Sequence, residues 1–421
     1  MAGQITAGLV AFLIVLKPVF DSLWFLKFYI LGLLVNIQGL AAILGLVIGL
    51  MISGMSGLGI HSYLMIPRRL AVLFLLFSVY SAARIFQFPP DFETVIRYWT
   101  ALAAFPLGFI LVKEVKKSPE SRRWIFAGIT FSIMTVFSGA ILQLTGYLPY
   151  FYHDTVIGAG WVARSTGLYY HPLDLMRVLC WLHLGCIIIL FMIKDRRPSL
   201  AFGALGIMSL TQLFVFRTTH RTSLIFSVLA PLALGIYFKK PLRAAAIAAS
   251  ICLIWVSWGL LTSNGLKPGQ LFHRESFVDT TSSNIAASTG VKKVEFLRGR
   301  SGIWLAHWEW IKTFSPSELL LGYHHNYTNG VERLETHNQA IELFEVFGVL
   351  GSLLIAAFLA EALILYPSTL VQKLGFILVI FSYSLVSEPL GTPSFVWMGV
   401  LFMAIPFHAL LGTSGLLLKN S

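Results

Sequence analysis

Charged residues are scarce in this chain. They make up 12% of its 421 residues, whereas 57% of the residues are hydrophobic. A soluble protein needs a more polar surface, so this composition excludes an ordinary soluble globular protein and indicates a polytopic membrane protein. The residue alternation of outer-membrane barrel strands is also missing. We therefore expect helical spans, which satisfy their own backbone hydrogen bonds inside lipid.

Cysteine is equally rare, and several sequence motifs are absent. The chain has 3 cysteines. Cys180, Cys186 and Cys252 fall within apolar segments without a spacing pattern, which argues against a disulfide framework and a cysteine metal site. The sequence contains no Walker loop or GxGxxG for a nucleotide, no His-Glu-x-x-His for zinc, and no Gly-x-Ser-x-Gly in its outer segments. We expect no metal and no cofactor.

Apolar windows recur from one end of the chain to the other. A helix that crosses about 30 Å of hydrocarbon needs roughly 17 to 25 apolar residues, and about twelve windows of this kind are present. They begin near Ile5, Ile37, Leu70, Thr94, Trp124, Leu173, Leu200, Ser223, Ala244, Gln339, Leu374 and Pro393. The N-terminus lacks a basic start and a small-residue cleavage site, so we expect a first span there rather than a removed signal peptide.

These windows predict an all-α polytopic membrane protein in three parts. Residues 1–262 hold transmembrane helices 1 to 9, residues 263–336 form one long external loop that contains helices, and residues 337–421 hold transmembrane helices 10 to 12. The loop of roughly seventy residues is too long for a simple connector. Loops of this length usually act as lids or binding elements.

The net charge of +12 is concentrated on one side of the predicted spans. Basic clusters follow the second, fourth, sixth and eighth spans, at residues 67–69, 113–123, 194–198 and 239–243. By the positive-inside rule these loops are cytoplasmic, which places both termini inside and the odd-numbered loops outside. Topology explains the positive charge, so we expect the lipid bilayer as a partner and no nucleic acid.

The long external loop carries two helix signals. Residues 301–314 place Ile303, Trp304, Trp308 and Ile311 on one helical face, a pattern typical of a helix lying at the membrane interface. Residues 315–321 begin with a serine before a proline and have a glutamate at the third helical position, which predicts a helix start.

Arginines recur in the outer segments. Arg217 and Arg221 lie four residues apart in a turn so short that Arg221 must stand at or inside the outer end of the eighth span. An arginine at that depth costs a few kcal/mol unless it snorkels to the interface or finds a counter-charge. Snorkelling explains one lone arginine, but Arg164, Arg217, Arg221 and Arg300 each have a histidine nearby. Together they favour an anion site, because guanidinium groups match phosphate oxygens in two-point hydrogen bonds.

His337 differs from the other histidines because it opens the tenth span. Helix dipoles at that position favour the neutral imidazole, which can act as a general base near pH 7. Gly348 and Gly351 share its predicted helical face, where small residues allow another helix to pack closely. Either Glu342 or Glu345 can orient His337 or pair with an arginine. We expect His153, His183, His307 and His324 to be solvated loop residues or core donors.

The outer segments resemble a known family. The turn THRT (Thr219 to Thr222), RGRSGIW (Arg298 to Trp304), LLGY (Leu320 to Tyr323) and HNQAIELFEVFGVLG (His337 to Gly351) are similar, in order and spacing, to the O-antigen ligase and polymerase superfamily. The upstream stretch ARSTGLYYHPLDL resembles the arginine element of that family. The first 150 or so residues match in hydropathy alone. Where the family often has serine before the turn arginine, this chain has His220.

The resemblance implies an O-antigen ligase of the bacterial inner membrane with a GT-C-like helical core. Such an enzyme moves O-antigen glycan from undecaprenyl pyrophosphate to the lipid A-core oligosaccharide on the periplasmic face, with inversion and without a metal. Carried over by residue, the turn arginine is Arg221, the loop arginine is Arg300 and the helix-start base is His337. The residues that we expect to bind substrate are Arg164, His171, Arg217, His220, Arg298, His325, Asn338, Glu345 and Glu388.

Two alternatives remain open from the sequence. An O-antigen polymerase uses the same donor but accepts a second lipid-linked glycan. A transporter of lipid-linked sugars belongs to another class, and it is expected to place charged residues deep in several spans. The predicted spans are nearly free of charge at their midsections, which favours the transferase.

Overall fold

The computed structural model describes twelve stretches of the chain. They are residues 2–30, 33–60, 64–87, 92–156, 160–169, 171–193, 198–218, 221–261, 300–323, 338–385, 387 and 389–407. Their regular secondary structure is helical apart from two short antiparallel hairpins. The predicted site residues His220, Arg298, His325, His337 and Glu388 lie outside the described residues.

The N-terminal part alternates long helices with the two hairpins. Its helices are α1 (Ala2–Val15), α2 (Lys17–Ser22), α3 (Ile37–Gly57), α4 (Arg68–Gln87), α5 (Phe92–Leu102), α6 (Ala104–Lys117) and α7 (Pro119–Leu144). Strand β1 (Lys27–Ile30) pairs with β2 (Leu33–Asn36), and β3 (Tyr152–Val156) pairs with β4 (Gly160–Arg164). The sequence predicted no strands, so both hairpins are additions to the all-α prediction. Each follows a helix that leads to the predicted outer face.

The C-terminal part continues as helices. These are α8 (Pro172–Met192), α9 (Pro198–Thr218), α10 (Arg221–Tyr237), α11 (Pro241–Leu261), α12 (Arg300–Ile311), α13 (Pro316–Leu321), α14 (Gln339–Leu365), α15 (Leu370–Ser384) and α16 (Pro393–Ala404). Helices α12 and α13 fall within residues 263–336, the predicted external loop, where the sequence predicted helices. The predicted capping box is present, since Ser315 and Glu318 bond each other's backbone.

A polytopic helical membrane protein is confirmed in outline. Eight helices among the described residues are long and apolar enough to cross a membrane. They are Ile37–Gly57, Arg68–Phe86, Glu93–Lys117, Pro119–Leu144, Pro172–Met192, Pro198–Thr218, Pro241–Trp258 and Gln339–Leu365. Shorter apolar helices lie at Ile5–Val15, Thr222–Tyr237, Leu370–Ser384 and Pro393–Ala404. Every predicted window thus has an apolar helix near its start, and the number that crosses stays a prediction.

Helix α16 lies at the centre of the bundle. Every residue from Ser394 to Ala404 is buried, and the helix packs among α2, α5, α6 and α8. The Trp397 indole donates to the Thr100 carbonyl at 2.9 Å, and the Trp181 indole donates to the Phe395 carbonyl at 3.0 Å. A buried tryptophan usually needs a hydrogen-bond acceptor for its indole N–H, and both of these have one. A helix of 12 residues suffices here because protein, rather than lipid, surrounds it.

A buried histidine joins three helices beneath the predicted outer face. Pro231 interrupts α10, and because proline has no N–H the Ser227 carbonyl lacks its helical donor. His183 Nε2 on α8 lies 3.0 Å from that carbonyl and supplies the missing hydrogen bond. Its Nδ1 must then accept, and Gln212 Nε2 on α9 lies 2.8 Å away. The prediction that His183 is a core hydrogen-bonding residue is therefore confirmed.

Sidedness gives the first testable prediction. Tyr147 follows α7 on the predicted outer face, and Leu242 stands at the predicted inner end of α11; both side chains are highly exposed, at 81% and 86%. In a Cys252→Ser background, a membrane-impermeant thiol reagent should label Tyr147→Cys in intact spheroplasts but Leu242→Cys only after lysis. Cys180 and Cys186 are buried and should stay unlabelled. Labelling of Leu242→Cys from outside would reverse the predicted topology.

Candidate functional site

Arg217 is a buried cation at the predicted outer end of α9. Its side chain is 5% exposed, and its Nη2 donates to the Tyr150 hydroxyl at 3.0 Å. The guanidinium carbon lies 5.8 Å from the centre of the Tyr150 ring, within range of a cation–π contact. Among the described residues no carboxylate pairs with it, and its Nε has no hydrogen-bond partner. A buried guanidinium in this state still has hydrogen-bonding capacity for an anion.

Two further arginines reach the same corner through the backbone. Strand β4 ends at Arg164, and the next residue, Ser165, donates its N–H to the Arg217 carbonyl at 3.1 Å. Helix α10 begins at Arg221, four positions after Arg217 in the sequence. The structure describes only the backbone of Arg164 and Arg221. Three of the four arginines of the predicted anion site, Arg164, Arg217 and Arg221, thus lie on neighbouring stretches of backbone, and we call these three the arginine corner.

Gln143 fixes the loop that carries this corner. Its Oε1 accepts from the backbone N–H groups of Thr166 at 2.9 Å and Gly167 at 2.7 Å, and its Nε2 donates to the Thr166 hydroxyl at 2.8 Å. Gly167 has φ of +59° and passes against the backbone of Ala140, which favours glycine there. Sequence reasoning missed Gln143. A glutamine at the end of an apolar helix, just before a polar loop, was the available signal.

His171, predicted to bind substrate, has a described structural contact. It is the N-cap of α8, where its Nδ1 accepts from the Leu173 N–H at 3.1 Å, and Pro172 occupies the first helical turn. In the same region Arg177 donates to Asp174 at 2.6 Å. His171 therefore marks the start of α8 beside the loop of the arginine corner, and its role toward substrate stays a prediction.

Helices α12 and α13, in the predicted external loop, form a small apolar core with the start of α14. Trp310, Ile311 and Phe314 are buried together and pack against Tyr323, Phe344 and their neighbours. The Phe314 and Tyr323 rings stack with centroids 4.7 Å apart. We call this group of α12, α13 and the start of α14 the outer module. It joins the external loop to the bundle through aromatic packing.

The residues of the predicted membrane-interface face of α12 differ in burial. Ile303 and Ile311 are buried within the protein, whereas Trp308 is 53% exposed, and a place at the membrane interface stays a prediction. Trp310, which the sequence reading passed over, is buried instead. The buried stripe runs through Ile303, His307 and Trp310 because the outer module packs on that side of the helix.

Helix α14 breaks at Gly348. This residue has φ of 58° and ψ of −167°, so the helix consists of an outer arm, 339–347, and an inner arm, 349–365. Gly322, with φ of +89°, follows α13 and packs directly onto the break. A side chain at Gly348 would meet the Gly322 nitrogen and the Leu320 carbonyl oxygen. Only glycine combines this backbone conformation with so close an approach.

Three consecutive carbonyls at the break find donors outside the helix. The Glu345 oxygen accepts from the Tyr323 N–H at 2.7 Å, and the Val346 oxygen accepts from Arg84 Nε at 3.1 Å. The Phe347 oxygen lies 2.6 Å from the Tyr80 hydroxyl. The last carbonyls of a helix lack internal donors and carry partial negative charge, so a guanidinium is well suited to them. Neither Tyr80 nor Arg84 was predicted.

Tyr80 and Arg84 also hold the end of α13. The Tyr80 hydroxyl lies 2.7 Å from the Leu321 carbonyl, and Arg84 Nη2 donates to the Tyr323 carbonyl. The Tyr80 hydroxyl has a single proton, so it donates to either the Leu321 or the Phe347 carbonyl at a given time. Because Tyr80 and Arg84 lie four residues apart on α4, they share one face of that helix. The end of α4 therefore fastens the outer module to the break in α14.

The start of α14 is fixed by polar contacts. Asn338 caps the helix, its Oδ1 accepting from Ala340 N–H at 3.0 Å and Ile341 N–H at 3.3 Å. Gln339 donates to the Tyr98 hydroxyl and accepts from the Leu390 N–H at 2.7 Å. Asn338 was predicted to bind substrate, and that role stays a prediction beside its capping contact.

The two glutamates of the outer arm have separate partners. Glu342 accepts from the Tyr98 hydroxyl and lies 3.8 Å from Arg97, so it is the one near an arginine. Glu345 is buried, and its Oε1 lies 2.6 Å from His307 Nδ1 on α12. The expectation that His307 is a core residue is confirmed. A role for Glu345 toward substrate stays a prediction, and its described contact is with His307.

A chain of contacts links the arginine corner to the start of α14. Ser223, two residues beyond Arg221, accepts from the Tyr383 hydroxyl on α15 at 2.9 Å. Helix α15 leads to the segment 389–392, whose Leu390 bonds Gln339. Arg300 begins α12, and the structure describes its backbone alone. The helix that begins at Arg221 and the helix that Asn338 caps are therefore linked through contacts of Tyr383 and Leu390.

Some buried charges within the apolar helices were not foreseen. Lys17 pairs with Asp21 within α2, and Arg84 lies in the last turn of α4. All three are buried near helix ends and have described partners. The prediction of nearly charge-free midsections is compatible with these positions.

No group of three or more histidine, cysteine, aspartate or glutamate residues able to hold a metal lies in the part of the chain that the structure describes. His324, His325 and His337 fall outside that part. No family model, no curated protein and no solved structure matches the chain. Any function assigned to it therefore rests on its own residues.

Proposed function

We propose that this protein is an inner-membrane glycosyltransferase that moves O-antigen glycan from undecaprenyl pyrophosphate to the lipid A-core oligosaccharide on the periplasmic face. The observation that supports it most is Arg217, which is buried in the arginine corner with no carboxylate partner among the described residues. The resemblance of the outer segments to the O-antigen ligase and polymerase superfamily points in the same direction.

The electrostatics of the arginine corner favour an anionic ligand. Taking a guanidinium out of water costs several kcal/mol unless opposite charge or hydrogen bonds compensate. The Tyr150 hydroxyl supplies one hydrogen bond to Arg217, and Arg164 and Arg221 bring further positive charge to the same loop. A doubly charged group such as a pyrophosphate would offset the positive charge that these arginines bring. The polyprenyl chain of such a donor would lie in the membrane beside it.

The proposed reaction is a single displacement at the anomeric carbon. The acceptor hydroxyl forms the new C–O bond as the bond to the pyrophosphate oxygen breaks, which inverts the configuration and releases undecaprenyl pyrophosphate. His337 takes the hydroxyl proton as general base. Arg221 and Arg300 stabilise the negative charge that grows on the departing phosphate, because fixed cations act most strongly where charge develops.

Reconstitution with defined substrates tests this proposal. Purified protein is incubated with lipid-linked O-glycan and rough lipopolysaccharide, and the conjugate is detected by gel. A ladder of glycan on lipopolysaccharide is the expected product. Longer lipid-linked glycan without added lipopolysaccharide would instead support a polymerase. Movement of intact donor across sealed vesicles, without either product, would favour a transporter.

Arg217 provides the second testable prediction. Arg217→Gln removes the charge from the arginine corner, and we expect transfer to fall about 10²-fold, the scale seen when a group that stabilises developing charge is lost. Arg217→Lys keeps the charge but loses the two-point fork, so an intermediate rate is expected. The measurement is the initial rate of conjugate formation, with thermal unfolding recorded for each variant.

Arg177→Gln is the matched control. Arg177 lies near the predicted outer end of α8 and already has a carboxylate partner, Asp174, at 2.6 Å. We expect its loss to leave the transfer rate within a few-fold of wild type, as for most partly exposed ion pairs. Equal rates for Arg217→Gln and wild type would remove the arginine corner from the proposed mechanism.

A further inference from the structure

The pair of His307 and Glu345 is a polar contact inside an otherwise apolar core. The ring nitrogen Nδ1 and the carboxylate Oε1 are 2.6 Å apart, and the two residues are 1% and 2% exposed. Trp310 lies edge-on to the imidazole with ring centroids 6.1 Å apart. The pair therefore joins α12 to the outer arm of α14 from within the outer module.

Stability alone is a poor explanation for such a pair. Two buried groups lose their hydration, and an apolar pair of similar volume is often as stable or more stable. A directional hydrogen bond nevertheless admits fewer arrangements of two packed helices than apolar contact does, so it can set their register. The neighbouring rings of Trp310, Phe314 and Tyr323 provide packing without that directionality.

The register of α12 against α14 affects the positions of two candidate catalytic residues. Arg300 is the first residue of α12, seven residues before His307, which is about two helical turns. On the other helix, Glu345 belongs to the arm that Asn338 caps, and His337 is the residue before Asn338 in the sequence. A rigid helix transmits its placement to its first residue. The pair thus controls where Arg300 stands relative to the outer arm of α14.

We propose that His307 and Glu345 are a positioning pair, whose buried hydrogen bond fixes the helix that begins at Arg300 against the outer arm of α14 for glycan transfer. This inference rests on the proposed function, in which Arg300 contacts the pyrophosphate. The pair acts through Arg300 and touches no reacting atom. Its contribution is geometry, so the hydrogen bond matters and the charge does not.

Three variants separate geometry from stability. His307→Leu/Glu345→Leu replaces the pair by apolar side chains, and we expect a melting temperature within a few degrees of wild type but a kcat at least tenfold lower. His307→Asn keeps a hydrogen-bond donor for Glu345 in place of the imidazole Nδ1 and should retain near-normal kcat. The control, Glu309→Ala/Lys312→Ala, removes an exposed ion pair, with the two charged atoms 2.7 Å apart, at the end of the same helix and should change neither quantity.

A distance measurement gives a readout that does not depend on activity. Spin labels are placed at Trp308→Cys and Ala340→Cys, both exposed positions, in a Cys252→Ser background. We expect a narrow distance distribution between α12 and α14 with the wild-type pair and in His307→Asn. The double leucine variant should give a broader or shifted distribution.

The outcomes are distinguishable. An unchanged distance distribution in the double leucine variant, or a kcat equal to wild type, overturns the positioning role. Loss of kcat in His307→Asn with an unchanged distribution also overturns it, because the imidazole itself rather than its geometry would then matter. If the double leucine variant fails to fold, His307→Asn still tests the positioning role through that same outcome. If the wild-type protein transfers no glycan, the proposed function fails while the distances continue to test how the pair holds α12.

Discussion

Replacing Gly348 by alanine is expected to unfold the junction between the outer module and the bundle. Gly348 has a positive φ with an extended ψ, a region that side-chain-bearing residues avoid at a cost of about 1–3 kcal/mol. An added Cβ would also lie 2.6 Å from the Leu320 carbonyl oxygen. Backbone cannot move aside as the tip of a side chain can. We therefore expect a loss of roughly 3 kcal/mol or more in the free energy of unfolding, near the upper end for single substitutions.

Thermal or denaturant unfolding of the purified protein in detergent measures this effect, and Gly203 provides the matched control. Gly203 lies within α9, and a Cβ there would meet nothing within 4 Å. Gly203→Ala should be neutral or stabilising by up to about 1 kcal/mol, because alanine favours helix more than glycine does. If Gly348→Ala has the same melting temperature as Gly203→Ala, the break in α14 is not required for the native packing.

The same break shows where sequence reasoning stops. A helical wheel carried through residues 337–351 placed Gly348 and Gly351 on one packing face. Gly351 fits that prediction, since an added Cβ would lie 2.6 Å from the Tyr80 ring. Gly348 does not fit it, because the backbone is not helical at this residue and packs against Gly322 instead of another helix. Periodicity reports which residues share a face only while the backbone remains helical.

Tyr80 and Arg84 explain why the break was not foreseen. Their carbonyl partners belong to residues more than two hundred positions away along the chain, such as Val346. Local propensity contains no information about such partners. A tyrosine and an arginine four residues apart in an apolar span were nevertheless a usable signal, since polar side chains in a span need partners.

Helix starts were easier to predict because their causes are local. The capping box of Ser315 and Glu318 spans four residues, and the structure contains it as predicted. The arginine corner falls between these cases. Arg164, Arg217 and Arg221 were predicted from their position in the outer segments. Gln143, which holds the loop, and Tyr150, which contacts Arg217, were not predicted. Those partners are contributed by the end of α7 and the loop that follows it.

His337 is expected to show the largest loss of activity. The residue lies outside the described part of the chain, so this prediction rests on the sequence and on the capped helix that follows at Asn338. If the imidazole removes the acceptor proton, His337→Ala should lower transfer by about 10²-fold or more, the usual scale for a lost general base. Donor binding should persist because the arginine corner remains intact.

His337→Asn separates proton transfer from shape. Asparagine keeps a comparable size and can hydrogen-bond, but it cannot take a proton, so transfer should be nearly as slow as with alanine. The same exchange at His153 in strand β3, a histidine with no proposed role, should leave the rate unchanged. In the wild type the rate should fall on the acid side of neutrality, where protonation removes the base form of imidazole. A normal transfer rate in His337→Asn would contradict the general-base role and leave His337 a structural one. Strong inhibition of the wild type by a chelator would instead indicate a metal-dependent mechanism.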